Sequence, residues 1–105
     1  IVFINSSMGL QTKANISQYA ATKHGLKALA DTLRHEVNAE EVRVLSVFAG
    51  QTASAMQEKL YRQAMRPYDP KSLIQPEDIA SMVIGALALP RTAEVTDIHI
   101  RPLKK

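Results

Sequence analysis

The sequence predicts an α/β domain built from three parallel strands and the helices that connect them. Apolar, β-branched runs at Ile1–Asn5 and Val42–Phe48 suit strands that are buried on both faces. Stretches with helical periodicity separate these runs, and strands that alternate with helices favour right-handed parallel crossovers. The chain of 105 residues suffices for one domain with a small core, because domains usually span about 50 to 250 residues.

The first helix follows the first strand after a polar turn. Its periodicity predicts a helix from Gln18 to about Asn38, with Ser17 placed to cap the N-terminus. The apolar positions form one stripe, which we expect to pack against the sheet: Leu26, Leu29, Ala30, Leu33 and Val37. We expect the outer face to be polar with small residues: Ala20, Lys27, Asp31, Arg34 and His35.

Three further elements complete the predicted order β-α-β-α-α-β. Residues 52–65 have helical composition and end before a proline. Pro76-Glu77-Asp78 places a proline and two acids in a first turn, which is typical of a helix N-terminus, and Pro90 ends that helix. Alternating apolar residues predict the last strand over 95–101.

Charge and composition argue against several partners. The net charge is +3, but basic and acidic residues are interspersed except at Arg101, Lys104 and Lys105, so we expect no nucleic-acid partner. No apolar run approaches the roughly 18 residues of a membrane span, so we expect no membrane partner. The chain has no cysteine, and its three histidines lack zinc-ligand spacing, so we expect a cytoplasmic protein without a metal site.

Tyr19 and Lys23 carry the candidate chemistry. They lie four residues apart on the predicted helix and therefore share one face. An ammonium held near a phenol favours the phenolate, so this pair is suited to donate or accept a proton near neutral pH. Ser6 lies thirteen residues before Tyr19 at the carboxyl end of the first strand, where parallel sheets bind ligands, and its hydroxyl is placed to polarise a carbonyl oxygen.

Two alternatives remain open from these residues alone. A Tyr-x-x-x-Lys pair also arises on helices as an ordinary surface pair. A serine hydrolase can be assembled from Ser6 or Ser7, a histidine, and Asp31 or Asp97, but the chain has no Gly-x-Ser-x-Gly elbow.

Taken together, the motifs resemble the carboxyl-terminal half of the short-chain dehydrogenase/reductase family. The resemblance rests on Asn5-Ser6-Ser7-Met8-Gly9 after a strand, Tyr19-Ala20-Ala21-Thr22-Lys23-His24-Gly25 on a helix, and a glycine-containing turn after the next strand. It extends in order along essentially the whole chain and includes Pro76-Glu77-Asp78-Ile79-Ala80. The fold it implies is the second half of a Rossmann-like doubly wound parallel sheet.

The resemblance also implies roles for individual residues. Tyr19 would be the acid/base, Lys23 would assist it and bind the nicotinamide ribose, and Ser6 would hold the substrate carbonyl. Ser7 is the second candidate for that serine, but Ser6 has the usual spacing to Gly9 and to Tyr19. The implied cofactor is NAD or NADP, and the implied substrate is a small carbonyl compound or secondary alcohol.

The turn after the second strand is where the family usually has Pro-Gly-x-x-x-Thr against the nicotinamide. Here it contains Ala49, Gly50, Thr52 and Ser54, which we expect to contact the cofactor together with Tyr19 and Lys23. Gly50 keeps a permissive turn, whereas Ala49 lacks the ring of proline and should leave the turn less preorganised. Residues 56–74 correspond to the family's variable substrate loop, and apolar residues there are placed to line a pocket: Met56, Leu60, Tyr61 and Met65.

The family's glycine-rich dinucleotide turn does not occur in these residues, and position 1 is Ile instead of Met. We therefore expect residues 1–105 to be the catalytic half of one Rossmann-like domain, from a reductase about twice as long. A first strand with a bare edge favours association, so we also expect a homo-oligomer. The alternative is that this chain by itself is a non-catalytic packing or assembly module.

Overall fold

The computed structural model describes residues 1–104 and confirms the α/β class. In chain order the elements are β1 (Val2–Ser6), α1 (Ser17–Val37), β2 (Leu45–Ala49), α2 (Ala55–Gln63), α3 (Pro76–Leu87) and β3 (Asp97–Ile100). The three strands form one parallel sheet in the order β1-β2-β3. None of the helices within residues 1–104 has the length and hydropathy needed to cross a bilayer.

The strand register aligns the carboxyl ends of all three strands. Ser6 pairs with Ala49, and Ala49 pairs with Ile100. One sheet face packs against α3, where Leu45, Val47 and Ile98 form the buried cluster. The other face carries Asn5, Ser46 and Phe48, because successive strand residues alternate between faces.

Two strands are shorter than the sequence predicts. β2 begins at Leu45 instead of Val42, because the Val44 N–H donates to the Glu94 carboxylate at 2.8 Å and so makes no bond to a neighbouring strand. β3 spans only Asp97–Ile100. A side-chain contact between residues as far apart in the sequence as Val44 and Glu94 replaces a ladder hydrogen bond and is not visible in a hydrophobicity pattern.

The helix starts also differ from expectation. Ile16 is the residue before α1 and makes no side-chain cap, so the expected cap by Ser17 is wrong and Ser17 is already helical. α2 begins at Ala55 because Thr52 pairs with Ile74 in a short parallel bridge, and the Ser54 hydroxyl then caps the helix. α3 begins at Pro76 as predicted.

The inward face of α1 agrees with the predicted stripe only in part. Ala30, a member of that stripe, is buried at 0% exposure, but Leu29 is 54% exposed, and Ala20 from the expected outer face is buried at 5% exposure. The Arg34 guanidinium reaches the carbonyls of Val44 and Thr96, just before β2 and β3. Small alanines and an arginine that satisfies strand carbonyls therefore face the sheet, and the expected assignment of Ala20 and Arg34 to the outer face is wrong.

The described chain is less compact than a self-contained domain of its length. Its radius of gyration is 15.4 Å, compared with about 13 Å expected for a compact chain of this size. Large apolar side chains are exposed on or directly beside β1, α2 and α3: Ile1, Ile4, Met56, Leu60, Met65, Met82, Ile84 and Leu87. A substantial apolar surface is thus uncovered within residues 1–104.

Asp31 on α1 forms an ion-pair cluster with Lys27 and Arg34. The Lys27 ammonium donates to the carboxylate at 2.6 Å and Arg34 donates at 3.0 Å, and these contacts lower the pKa of the Asp31 carboxyl below its usual value. A lowered pKa stabilises the folded state above the unfolded-state value near 3.9, and that stabilisation is lost as the pH falls through the lower folded-state pKa.

We expect Asp31→Asn to lower the free energy of unfolding at neutral pH by about 0.5 kcal/mol, since the pair is partly exposed to solvent. The difference from the unchanged protein should disappear in strong acid, where the carboxyl is protonated in both states. Urea unfolding at neutral and acidic pH measures this, with exposed Glu36→Gln on the same helix as control. A difference that is equal at both pH values would contradict the assignment.

Candidate active site

Tyr19 and Lys23 lie one turn apart near the start of α1. The Lys23 Nζ lies 5.7 Å from the centroid of the Tyr19 ring, within the range of an ammonium–aromatic interaction. Tyr19 is 47% exposed. The hydrogen bonds of these two residues to other side chains within residues 1–104 use their backbone carbonyls, so the phenol and the ammonium remain available for a ligand.

Ser6 ends β1 and begins a 3-10 turn over Ser7–Gly9. Its Oγ accepts a hydrogen bond from the Met8 N–H at 3.1 Å, which fixes the oxygen at the end of the strand. A hydroxyl that accepts one bond keeps its own proton to donate. Ser6 is therefore able to donate to a carbonyl oxygen from this position, and Ser7 lies in the turn that follows.

Asn5 is a site residue that the sequence reasoning missed. It is 4% exposed, its Oδ1 accepts from the Ser6 N–H at 2.7 Å, and its Nδ2 donates to the Lys23 carbonyl at 3.1 Å. The sequence does contain one indication of this role, because Asn5 is the single amide in an otherwise apolar strand run. A polar side chain buried in a strand needs hydrogen-bond partners. This side chain places the Lys23 turn of α1 against the end of β1.

The turn after β2 lies beside Ser6 because Ala49 pairs with Ser6 in the register. The Gly50 N–H donates to the Ile100 carbonyl at 2.9 Å and links the turn to β3. Gly50 does not have a positive φ, so the expected permissive conformation is not used. Glycine is favoured at this position by the limited space instead, because a Cβ on Gly50 would lie 3.2 Å from Pro102 Cδ.

Thr52 and Ser54 make local contacts farther along this turn. The Thr52 hydroxyl donates to the Gly50 carbonyl at 3.1 Å, and the Ser54 Oγ accepts from the Gln57 N–H at 3.1 Å. The register therefore brings Ser6 and Ala49 together, with Gly50 next in the chain, whereas the two hydroxyl residues lie beyond that contact.

The predicted apolar pocket in the substrate loop is not formed within residues 1–104. Met56, Leu60 and Met65 are exposed, at 64%, 49% and 93%. Tyr61 is half-buried, and its hydroxyl donates to the Gln51 side chain at 2.6 Å. A cavity of about 190 Å³ lies at the opposite end of the sheet and is lined by segments before β2 and before β3.

Metal ligation finds no support in the described part of the chain. No group of three or more histidine or carboxylate side chains within residues 1–104 is arranged to hold an ion.

Known proteins of similar sequence and similar fold were found by comparison. An uncharacterised short-chain type dehydrogenase/reductase from Sinorhizobium fredii is 33% identical over 109 aligned positions, which cover 97% of this chain and 42% of that protein. A short-chain dehydrogenase from Mycobacterium paratuberculosis, solved bound to NAD, has a TM-score of 0.72 at 28% identity and covers 95% of this chain and 42% of its own.

A third similarity concerns the fold alone, because its sequence identity is low. The alcohol dehydrogenase from the archaeon Thermococcus sibiricus, solved with 5-hydroxy-NADP, has a TM-score of 0.78 at 23% identity and covers 99% of this chain and 42% of its own. The chain thus spans about two fifths of the length of each of these proteins. A family model described as short chain dehydrogenase matches residues 1–65, which include β1, α1, β2 and α2, and the chain therefore belongs to the short-chain dehydrogenase family.

Proposed function

We propose that these residues supply the catalytic half of an NAD- or NADP-dependent oxidoreductase that acts on a carbonyl compound or secondary alcohol. The observation that carries the proposal is the Tyr19–Lys23 pair beside the carboxyl end of β1, with the ammonium 5.7 Å from the phenol ring. Family membership supports oxidoreductase chemistry, and the names of two similar structures include NAD and 5-hydroxy-NADP.

Three side chains have separate roles in the proposed reaction. In the direction of reduction, Ser6 donates a hydrogen bond to the carbonyl oxygen and Tyr19 transfers its proton to that oxygen as negative charge develops there. Lys23 stabilises the phenolate that Tyr19 becomes. In the direction of oxidation, the same phenolate accepts the alcohol proton.

The donor set suits a nicotinamide nucleotide. The Lys23 ammonium carries three donors, and none is used by the side-chain hydrogen bonds found within residues 1–104. Ribose hydroxyls are acceptors of matching chemistry, and the backbone at Ala49 and Gly50, with the Thr52 and Ser54 hydroxyls, would line the nicotinamide side. A bound nicotinamide supplies the hydride acceptor or donor that these side chains lack.

The experiment uses the full-length protein and a panel of ketones, aldehydes and secondary alcohols. Binding of NADH and NADPH is measured by calorimetry, and turnover is measured from the loss or gain of reduced-nicotinamide absorbance. We expect carbonyl-dependent oxidation of at least one reduced cofactor. Binding of neither cofactor, or bound cofactor without turnover on any panel member, would overturn the proposal.

A second candidate function is assembly, and the observation that favours it is the β1 edge. Within residues 1–104, β1 pairs only with β2, and Ile4 on β1 is 56% exposed. An apolar strand with unpaired backbone groups is an association surface. Sedimentation that shows self-association of a protein that binds neither cofactor would favour this function, whereas a homo-oligomer that turns over substrate would favour the first.

A further inference from the structure

Asn5 is a buried amide at the centre of the candidate site, and the chemistry proposed above does not use it. Its Oδ1 accepts from the Ser6 N–H at 2.7 Å, on the strand that carries the substrate-polarising hydroxyl. Its Nδ2 donates to the Lys23 carbonyl at 3.1 Å, on the helix that carries the acid/base pair. One side chain therefore joins the two elements whose separation the reaction depends on.

Gly9 leaves the space that this amide occupies. A Cβ on Gly9 would lie 2.7 Å from Asn5 Oδ1 and 3.1 Å from its Cγ and Nδ2. Gly9 does not have a positive φ, so the backbone conformation does not require glycine there. The close approach of Asn5 does require it, and the 3-10 turn after Ser6 is thereby packed onto the same amide.

Burial alone does not account for this arrangement. Ser46 is the other buried polar side chain within residues 1–104; it lies on the same sheet face, and its hydroxyl has no hydrogen-bond partner. The Ser46 hydroxyl is therefore buried on that face without a hydrogen bond that links it to another element. Asn5 differs because its two partners belong to two different parts of the site.

We propose that Asn5 is a positioning residue that sets the distance between the Ser6 hydroxyl and the Tyr19–Lys23 pair. The proposal rests on the proposed function, because it assigns Ser6 and Tyr19 to one substrate oxygen. A displacement of about 1 Å between groups that act together can lower a rate on the order of a hundredfold. Loss of the amide should therefore lower the rate more when both groups are present than when one of them has been removed.

The test is a double-mutant cycle in the full-length protein, with kcat measured for Asn5→Ala, Ser6→Ala and the combination. We expect Asn5→Ala to lower kcat on the order of tenfold or more when Ser6 is present. In the Ser6→Ala background its effect should be smaller by at least about threefold, because the distance it sets no longer matters. A purely structural role would give the same loss in both backgrounds, so a difference below that threshold would overturn the proposal.

Gly9→Ala tests the same contact without changing Asn5, and it replaces Asn5→Ala if that variant does not fold. The added methyl group would displace the amide, so its effect on kcat should show the same dependence on Ser6. In Asn5→Ala the amide is gone and the methyl group has room, so adding Gly9→Ala should cost little more. Ser46→Ala, on the same face, is the matched control and should leave kcat unchanged.

Amide hydrogen exchange provides a readout that does not depend on activity. The Ser6 N–H loses its acceptor in Asn5→Ala and should exchange faster, while Ser46→Ala should not change it. Unchanged Ser6 exchange would overturn this proposal even in an active enzyme. Faster exchange in a protein that never reduces a carbonyl would instead overturn the proposed function.

Discussion

In the full-length protein, Tyr19→Phe is expected to lower kcat on the order of a hundredfold or more, because general acid catalysis is typically worth that much. The substitution removes the proton that is transferred to the substrate oxygen and leaves the ring beneath the Lys23 ammonium. Cofactor affinity should fall only slightly, since the ammonium is retained. Steady-state kinetics and cofactor titration on the same preparation measure the two effects separately.

Tyr61→Phe is the matched control for this prediction. This substitution also removes a phenol hydroxyl, but that hydroxyl donates to the Gln51 side chain. We expect its kcat to fall far less than that of Tyr19→Phe, because this hydroxyl transfers no proton in the proposed reaction. Near-normal turnover in Tyr19→Phe would remove Tyr19 from the mechanism, and equal losses in the two variants would indicate a general effect of losing a phenol.

Lys23→Met is expected to have the second largest effect, on both binding and rate. An ammonium near a phenol favours the phenolate, so its loss should move the pH–rate profile to higher pH. Its loss also removes donors for ribose hydroxyls, so the cofactor dissociation constant should rise on the order of tenfold, as for a charged hydrogen bond. A pH series of kcat and a titration with NADH and NADPH measure the two consequences.

Two further substitutions test whether the effect of Lys23→Met comes from the loss of its charge. Lys23→Arg keeps the charge and should retain the pH profile better than Lys23→Met. Lys27→Met removes a lysine one turn along α1 that pairs with Asp31 at 2.6 Å. This substitution should leave the pH–rate profile unchanged. An unchanged profile in Lys23→Met would contradict the role of its charge.

The fold was predictable because its main elements have regular patterns. The β-branched run at Ile1–Asn5 and the proline with two acids at Pro76-Glu77-Asp78 gave β1 and the start of α3 to within one residue. The beginning of β2 was not predictable, because the Val44 N–H bonds to the Glu94 side chain, which lies far away in the sequence. Tertiary contacts of this kind override local propensity.

The inward face of α1 was predicted only in part. Ala30 belongs to the predicted stripe and is buried, but Ala20 is buried too, and Arg34 donates to carbonyls just before β2 and β3. Burial of an arginine depends on partners that the sequence does not identify. Leu29, a member of the predicted stripe, is exposed as a result.

Within the site, the helical spacing predicted the Tyr19–Lys23 pair, and the structure places those two side chains together. The catalytic roles of Tyr19, Lys23 and Ser6 remain predictions. The contacts of Asn5 could not be predicted, because its hydrogen bond to the Lys23 carbonyl and its close approach to Gly9 form only once the chain has folded.

Isotope transfer tests the central claim most directly. The full-length protein is given its carbonyl substrate and reduced cofactor that carries deuterium at C4, in each of the two stereochemical forms, and the product is analysed by mass spectrometry. We predict that one form transfers deuterium to the former carbonyl carbon and that the other form does not. Product that carries no deuterium from either form would contradict hydride transfer and, with it, the assignment of Tyr19 as acid/base.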